Sequence, residues 1–234
     1  MKRIAILQSN YIPWKGYFDL INCVDEFVVY DTAQYTKNDW RNRNKIKTPQ
    51  GLTWLTIPVR QPSLSTSILE VTVSDMSWPQ KHWRSICQNY SKSLYFKLYE
   101  NTFRDFYLAN SVTSLSEINV RLIEIVNSVL GIKTKISWSS DYELVEGRTE
   151  KLLSICKQAG ADIYLSGPAA KQYFDQALAD KMGISVEWME YSGYPEYRQL
   201  YPPFEHGVSI LDLIFNEGPR AVTFMKTFRN ANKF

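Results

Sequence analysis

The sequence predicts an α/β fold in which a Rossmann-like parallel sheet is flanked by helices. A strand over residues 3–8, a short helix over 17–23 and a strand over 26–30 follow one another at the spacing of a βαβ unit. Near the other end of the chain, short apolar stretches at 163–165 and 186–189 flank a predicted helix in the same way. Strands joined by such crossovers pair in parallel, so both units are expected to contribute to one sheet.

The stretch between the two units is expected to contribute two strands and a helical lobe. Residues 52–59 follow a Pro-Gln-Gly turn and are rich in strand-forming side chains, and residues 69–73 alternate between apolar and polar. Helical periodicity then covers 78–100 and 115–130, where apolar side chains fall on one stripe. We therefore expect a helical lobe at about 78–135 within the α/β domain.

Three helices are predicted in the C-terminal unit. Thr149 is a suitable N-cap for the first of them. The turn Ser-Gly-Pro at 166–168 leads into a helix from Ala169, because proline is favoured in the first helical turn. Ser209 is expected to cap a last helix over 210–215.

Composition places the chain among globular proteins. Of its 234 residues, 44% are hydrophobic and 22% are charged, which excludes intrinsic disorder and leaves enough apolar side chains for a core. No linker or repeat divides the sequence, so residues 1–234 are expected to form one domain. No apolar run approaches the ~20 residues that a bilayer crossing needs, and the apolar stretch at the N-terminus is too short for a signal peptide. These observations predict a cytoplasmic protein without a membrane span.

Cysteine, histidine and charge content narrow the function further. Three cysteines without CxxC spacing indicate a reduced protein. Because His82 and His206 are far apart in the sequence and the carboxylates are not clustered, no metal site built by the protein is expected. The net charge of +3 is too balanced for a general nucleic-acid binder, so a long nucleic acid is not expected as a partner. The excess of basic residues between Lys37 and Lys47 instead favours a small anionic ligand.

The loop after the first strand is the first candidate binding segment. In open α/β sheets, ligands bind beyond the carboxyl ends of the strands, and a helix that begins there offers unpaired N–H groups to an anion. Gln8 and Asn10 supply neutral donors and acceptors. Trp14 and Tyr17 supply flat faces, and Gly16 lets a ligand approach the backbone. The alternative is an ordinary surface loop whose aromatic side chains enter the core.

A second candidate segment begins where the second strand ends, at Asp31. In an extended chain, Arg41 and Arg43 point to one side, whereas Asn42 and Asn44 point to the other. Arginine can bind a phosphate through two hydrogen bonds, and asparagine can recognise the edge of a base, sugar or amide. A solvated charged surface is the alternative, but the segment carries little acid. We interpret it as a phosphate or nucleotide contact.

The turn Ser166-Gly167-Pro168 is the third candidate. A strand that turns into a helix presents backbone N–H groups, and Lys171 lies near them, so the segment is similar to an anion cradle. A capped helix without a ligand is the alternative. The spacing differs from GxSxG and no acid–base partner is evident, so Ser166 is not expected to be a nucleophile.

Six segments of the sequence together resemble the WbqC-like protein family. They occur in order over almost the whole chain and are specific as a set. The family usually has Gln-Pro at the start of the first segment, where this chain has Gln8-Ser9. The segments are 8–18, 31–35, 40–44, 54–59, 164–167 and 209–213.

The resemblance implies a role in making surface polysaccharides. Members of the family are encoded among genes for O-antigen and other surface polysaccharides. This context implies a nucleotide-linked sugar, often a dTDP-linked amino sugar, as the substrate.

A weaker resemblance concerns Trp14-Lys15-Gly16-Tyr17. Its position between strand and helix is similar to that of the HxGH motif in the nucleotidyltransferase superfamily, which includes an enzyme that activates a carboxylate with ATP and joins it to an amine. Aromatic residues occupy both histidine positions, and those histidines stabilise phosphate charge in the transition state. This departure argues against nucleotidyl transfer itself.

These observations predict an enzyme of O-antigen (lipopolysaccharide) or other surface-polysaccharide biosynthesis. The expected reaction attaches an amino acid such as glycine to the amine of a dTDP-linked sugar through an amide bond, with ATP and Mg²⁺ as candidate co-reactants and a homodimer as a candidate assembly. The residues expected at the reacting centre are Gln8, Asn10, Tyr11, Asp31 and His206. Those expected to bind the nucleotide-sugar are Trp14, Gly16, Tyr17, Tyr35, Lys37, Trp40, Arg41, Asn42, Arg43, Asn44, Ser166, Gly167 and Lys171.

Two other functions stay open at the level of sequence. A nucleotidyltransferase-like enzyme that makes a nucleotide-sugar releases pyrophosphate without any amino acid. A non-catalytic nucleotide-sugar-binding or assembly protein binds its ligand tightly and forms no product.

Overall fold

Strands and helices alternate at both ends of the chain, and a helical stretch lies between. The structure is a computed structural model that describes residues 1–109 and 111–230. Within these residues the elements follow in the order β1 (Arg3–Leu7), α1 (Lys15–Asn22), β2 (Glu26–Val29), β3 (Arg43–Thr48), β4 (Gly51–Thr56), β5 (Val59–Arg60), β6 (Thr72–Val73), α2 (Trp78–Tyr90), α3 (Phe96–Ala109), α4 (Leu115–Leu130), β7 (Lys135–Trp138), α5 (Arg148–Gln158), β8 (Ile163–Ser166), α6 (Gln176–Lys181), β9 (Ser185–Trp188), α7 (Ile210–Glu217) and α8 (Thr227–Asn230).

The central sheet has five parallel strands in the order β7-β2-β1-β8-β9. Ala5 of β1 lies opposite Phe27 of β2 on one side and Leu165 of β8 on the other. The chain builds one half of the sheet outward from β1 through β2 and β7, and then returns to place β8 beside β1. Strand order therefore reverses between β1 and β8, which is where ligands bind in doubly wound folds. The predicted α/β fold with a Rossmann-like parallel sheet is confirmed.

The sheet is covered on both faces, as parallel sheets generally are. Ile4 and Ile6 of β1 pack toward one face with Leu153 and Ala179 of the C-terminal helices. Ala5, between them, belongs to a larger core on the other face that includes side chains of α1, α2, α4 and α7. Successive strand residues alternate between faces, so the continuous apolar run of β1 serves both cores.

The strand predicted at 52–59 forms in part, but it does not belong to the parallel sheet. Its first part is β4, which pairs antiparallel with β3 in a hairpin that joins Arg43 to Thr56 and Thr48 to Gly51. Gly51 has φ +109° at the turn, a conformation that glycine adopts readily. The strand predicted at 69–73 is a 3₁₀ turn at Ile68–Glu70 followed by the two-residue β6.

The predicted helical stretch contains three helices. The periodicity expected to run through 78–100 belongs to two of them, because α2 ends at Tyr90 and α3 begins at Phe96. The two helices pack together, with the rings of Trp83 and Phe96 stacked at 6.1 Å between centroids. Helix α4 ends at Leu130, as its apolar stripe predicted, and Gly131 follows it with φ +75°. The sheet strand β7 was not predicted, and it lies at the C-terminal limit of the expected lobe.

Two predictions about the C-terminal helices need correction. Thr149 is not an N-cap, because α5 starts at Arg148 and the Thr149 hydroxyl instead accepts a hydrogen bond from the backbone of Asp175 at 3.1 Å. The helix predicted from Ala169 is a five-residue 3₁₀ turn, and α6 follows it. Ser209 does cap α7, through a hydrogen bond from the backbone N–H of Leu211. None of the helices in residues 1–109 and 111–230 has both the length and the apolar composition that a bilayer crossing requires.

Candidate functional site

The loop after β1 and the segment before β3 lie side by side. The guanidinium group of Arg41 donates to the side-chain oxygens of both Gln8 and Asn10. The backbone N–H of Tyr11 donates to the carbonyl of Trp40 at 3.0 Å. Two segments that are thirty residues apart in the sequence thus form one polar surface beyond the carboxyl end of β1.

Arg41 brings a positive charge to this surface and pairs with Asp39 there. Its two amide acceptors are neutral, and its carboxylate neighbour, Asp39, lies 3.6 Å away and is partly exposed. The Nε atom of Arg41 is buried and has no hydrogen-bond partner among the described residues. A guanidinium is weakly hydrated and its planar geometry suits phosphate or carboxylate, so Arg41, although it pairs with Asp39, is a candidate contact for an anion.

Buried amides fix the shape of the loop. The side-chain NH₂ of Asn44 donates to the carbonyls of Tyr11 and Ile12 at 3.1 and 2.9 Å. Ile12 has φ +35°, which is unfavourable for a β-branched residue, so the loop stores backbone strain beside the candidate site. From the far end of the chain, the N–H of Ile210 donates to the carbonyl of Pro13 at 2.9 Å. The loop is therefore held by the hairpin and by α7.

Asp31 is buried beneath the loop and stabilises it through hydrogen bonds. Its carboxylate is fully buried and accepts hydrogen bonds from the backbone N–H of Ser9, at 2.7 Å, and from the hydroxyl of Ser116 on α4. Burial raises the pKa of Asp31, although these hydrogen bonds oppose the change. The role of Asp31 as a base stays a prediction, and its contacts give it a structural role.

The side chain of Tyr11, which was expected at the reacting centre, points away from the surface of the loop. Its side chain is fully buried, and its hydroxyl lies 2.8 Å from Nδ1 of His82 and 2.7 Å from the hydroxyl of Tyr107. Nε2 of His82 lies 3.2 Å from the carbonyl of Thr56, so Nε2 is the protonated nitrogen and Nδ1 accepts from Tyr11. Desolvation lowers the pKa of His82 to about 4, which keeps it neutral.

The aromatic residues of the loop also turn inward. Trp14 packs edge-on against Tyr191 and Tyr194, both at 5.4 Å between ring centroids. A Cβ on Gly16 would lie 2.3 Å from the Trp14 ring, so the glycine makes room for this indole rather than for a ligand. The hydroxyl of Tyr17 donates to the carbonyl of Gln8 at 2.9 Å. Trp14 and Gly16, two of the four residues in the segment similar to HxGH, are thus packing residues here.

Arg41 and Arg43, which were expected to point to one side, turn toward different neighbours. Arg43 donates to the carbonyl of Asn38, and its guanidinium lies 4.3 Å above the ring of Trp54, whereas Arg41 turns toward Gln8 and Asn10. The prediction that both arginines point the same way came from an extended chain, but β3 begins only at Arg43. Each arginine therefore has its own neighbours.

The Ser166-Gly167 turn is a weaker site for an anion than the helix N-terminus that was predicted. A 3₁₀ turn of five residues follows it instead of the predicted helix, so it has little axial dipole. The ammonium group of Lys171 lies 5.6 Å from the ring of Trp188. Ser166 and Gly167 nevertheless border a cavity at the sheet edge.

Three cavities surround these segments. The switch cavity, of about 360 Å³, lies between the ends of β1 and β8 and is lined in part by Gln8, Tyr30, Tyr164, Ser166, Gly167 and Tyr173. The loop cavity, of about 250 Å³, is lined by Asn10, Pro13, Trp14, Trp40, Asn44 and Gly207. The hairpin cavity, of about 440 Å³, is lined in part by Tyr35, Lys37, Asn42, Arg60 and Gln61.

Most of the predicted binding residues border one of these cavities, and Arg41 connects two of them through Gln8 and Asn10. His206 is adjacent in sequence to Gly207 of the loop cavity, and burial together with the charge of Lys15 lowers its pKa. The predicted residues outside the three linings are Tyr11, Gly16, Tyr17, Asp31, Arg41, Arg43, Lys171 and His206.

Comparison with known families explains why the six sequence segments occur together. The model of the WbqC-like protein family matches residues 8–224. The chain belongs to this family. An uncharacterized protein of Mycobacterium tuberculosis is 47% identical over 230 residues, which cover 98% of this chain and 100% of the relative. No solved structure matches. Membership of the WbqC-like family suggests a role in surface-polysaccharide biosynthesis.

The structure of this WbqC-like protein adds residues that sequence reasoning missed. Tyr30 and Tyr173 line the switch cavity, and with Arg148 they line a second opening that shares residues with it. Tyr30 directly follows β2, so the rule that pointed to Asp31 also pointed to Tyr30. Tyr173 and Arg148 carry no such signal, because they lie at a turn and a helix start whose positions depend on packing.

The described residues hold no group of three or more His, Cys, Asp or Glu side chains placed to bind a metal. A Mg²⁺ ion that arrives with nucleotide phosphates does not need such a group, because it keeps several waters and takes few protein ligands.

Proposed function

We propose that this WbqC-like protein is an enzyme that attaches an amino acid such as glycine to the amine of a nucleotide-linked sugar, with a dTDP-sugar favoured. The reaction would form part of surface-polysaccharide biosynthesis. The observation that supports it best is the placement of Arg41, whose guanidinium joins Gln8 of the switch cavity to Asn10 of the loop cavity.

A ligand with a central diphosphate fits this arrangement. The switch cavity lies where strand order reverses, which is where nucleotides bind in doubly wound folds, and its tyrosine walls provide flat faces for a base. The loop cavity offers the amides of Asn10 and Asn44 beside Trp14 and Trp40, a combination that suits a sugar. A diphosphate between the two cavities would lie close to the positive charge of Arg41.

The proposed chemistry requires activation of the amino-acid carboxylate. ATP supplies a phosphoryl or adenylyl group to one carboxylate oxygen, with release of ADP or pyrophosphate. The sugar nitrogen then forms a bond to the carboxyl carbon while the bond from that carbon to the activated oxygen breaks. Phosphate or AMP leaves, and one amine proton passes to a base.

His206 is the better placed of the two predicted bases. Burial and the nearby charge of Lys15 lower its pKa, so its imidazole is neutral at pH 7 and can accept a proton. Its neighbour in sequence, Gly207, lines the loop cavity. Asp31, in contrast, has both carboxylate oxygens occupied by Ser9 and Ser116.

A direct assay tests the proposal. The whole chain is incubated with dTDP-4-amino-4,6-dideoxyglucose, glycine, ATP and Mg²⁺, and the sugar nucleotide is analysed for the mass gain of one glycyl group. Arg41→Ala should lower kcat/KM about tenfold or more, because one charge-assisted contact to phosphate is lost. The matched control is Arg121→Ala, since Arg121 is exposed and pairs with Glu117 on the same helix, α4.

Other results of the same assay separate the alternatives. Pyrophosphate release from a nucleoside triphosphate without any amino acid indicates a nucleotidyltransferase. Saturable binding of a dTDP-sugar without product, over a panel of amino sugars and acyl donors, indicates a binding protein and removes the ligase proposal.

A further inference from the structure

The hairpin cavity is separate from the switch cavity and the loop cavity, which would hold the sugar nucleotide in the proposed reaction. It lies between the ends of the β3–β4 hairpin and the segment that precedes it, and it shares no lining residue with the switch cavity or the loop cavity. Its volume of about 440 Å³ is sufficient for a small metabolite. Its lining combines two features that together specify a ligand.

The first feature is a pair of buried acceptors that lack donors. Asn42 is 7% exposed, and its NH₂ group donates to the carbonyl of Ile57 at 2.8 Å, which fixes its Oδ1 atom as the remaining acceptor. This Oδ1 and the Oε1 of Gln61 are both buried and have no hydrogen-bond partner among the described residues. An unmet buried acceptor is unfavourable, so a ligand whose N–H donors reach these two oxygens would be stabilised at this wall of the cavity.

The second feature is positive charge at the rim. Lys37 and Arg60 line the cavity, are exposed, and form no ion pair with another described residue. No aspartate or glutamate is among the lining residues. A simple cation would be repelled by this rim, and a simple anion would leave the acceptors of Asn42 and Gln61 unmet.

We infer that the hairpin cavity binds a free α-amino acid, with its ammonium group on the oxygens of Asn42 and Gln61 and its carboxylate at Lys37 and Arg60. This inference rests on the proposed function, for which it supplies the second substrate site. In this orientation the carboxylate, which is the end that becomes the amide, lies at the open rim, and the ammonium group is buried. The ring of Tyr35 forms part of the wall and restricts the room for a large side chain.

Equilibrium dialysis of radiolabelled glycine against the whole chain tests the inference without any turnover. Glycine should bind saturably, whereas acetate and methylamine should each compete about tenfold more weakly or worse, because each lacks one of the two charged groups. The variant Lys37→Ala/Arg60→Ala and the variant Gln61→Met should each weaken glycine binding about fivefold or more. Arg121→Ala, at an exposed residue outside the lining, is the control and should bind as the parent does.

Lys37 and Arg60 are exposed and unpaired among the described residues, so the double variant should unfold in urea as the parent does. Equal glycine binding by the parent and both cavity variants, or no saturable binding by the folded parent, overturns the inference. Loss of dTDP-amino-sugar binding in the same variants, with competition by that sugar against glycine, also overturns it and assigns the cavity to the sugar nucleotide.

The two proposals can fail separately. Glycine transfer that is unaffected by the cavity variants removes the inference and leaves the proposed function standing. Glycine binding that depends on the cavity, in a protein that shows no transfer with any sugar, removes the proposed function and leaves the amino-acid site standing.

Discussion

Gly16 and Gly167 were both expected at the site, yet their surroundings differ. A methyl group at Gly16 would meet the Trp14 ring at 2.3 Å, whereas at Gly167 the nearest atom would be the Tyr191 hydroxyl at 4.0 Å. Gly16→Ala should therefore lower the free energy of unfolding by about 1–3 kcal/mol, and Gly167→Ala should change it by less than about 0.5 kcal/mol. Urea unfolding of both variants measures the difference. Equal stability of the two variants would contradict the close packing of Trp14 on the glycine.

At the scale of residues, the sequence located polar side chains better than aromatic ones. Gln8 and Asn10 could be placed at the sheet edge because they directly follow a strand, which is a local property. Tyr11 and Trp14 could not be placed, because their partners are His82, Tyr107, Tyr191 and Tyr194, far away in the chain. Whether a loop aromatic turns inward depends on such distant partners.

A chain of hydrogen bonds through His82 connects the loop after β1 to α2, α3 and β4. The hydroxyl of Tyr107 donates to that of Tyr11, which donates to Nδ1 of His82, and Nε2 donates to Thr56. The folded pKa of His82 is about 4, against 6.5 for an exposed imidazole. The unfolded chain therefore takes up the proton first as pH falls, so the stabilisation by His82 is complete above pH 6.5 and is lost toward pH 4.

His82→Gln should accordingly lower the free energy of unfolding by about 1–3 kcal/mol at pH 7.5, because Tyr11 and Thr56 lose their shared partner. The difference between parent and variant should shrink as pH is lowered from 6.5 to 4. Denaturant titrations at several pH values measure it. A difference that stays constant over this range would show that His82 is not held neutral.

At the scale of elements, short units were predictable and their partners were not. The β1-α1-β2 unit was visible because its strands are apolar and its connections short. The β3 strand was hidden because it is mostly polar, and two of its polar residues, Asn44 and Lys47, are buried. Only the pairing with β4 makes a strand of it. The helix expected from Ala169 failed because the proline signal also suits a 3₁₀ turn.

Acid stability of the whole molecule should depend on Glu26 at the start of β2. This carboxylate is 1% exposed and accepts hydrogen bonds from Lys2, Ser137 and Tyr142, with Lys135 at 3.0 Å. Burial acts to raise its pKa, but these partners outweigh burial and lower the pKa of Glu26 to about 2. The folded pKa is below the usual 4.5, so the stabilisation is complete above pH 4.5 and disappears as pH falls toward 2.

Glu26→Gln should destabilise the protein by about 1–3 kcal/mol near pH 6 and should flatten the loss of stability between pH 4.5 and 2. Glu187→Gln is the matched control, because Glu187 pairs with Arg3 at the exposed surface and should change stability by less than about 0.5 kcal/mol. Thermal unfolding over this pH range gives both values. Parallel acid profiles for parent and E26Q would rule out this assignment.

For the whole molecule, the parallel sheet could be predicted because β1, β2, β8 and β9 are apolar and belong to strand–helix–strand units that the sequence shows, whereas β7 could not. The contact of Arg41 with Gln8 and Asn10 could not be predicted from the sequence, since it requires the hairpin to lie across the end of β1. The three cavities likewise arise between elements, and no single segment encodes them.

The hydrogen bond from the backbone N–H of Ile210 to the carbonyl of Pro13 affects when the protein completes its site during its own synthesis on the ribosome. A ribosome makes the first strand and its loop long before it makes α7. A nascent chain that ends before Ser209 can pair its early strands, but it lacks the hydrogen bond from α7 that holds the loop around Ile12. Ligand recognition should therefore appear late in translation, only after α7 has left the ribosomal exit tunnel.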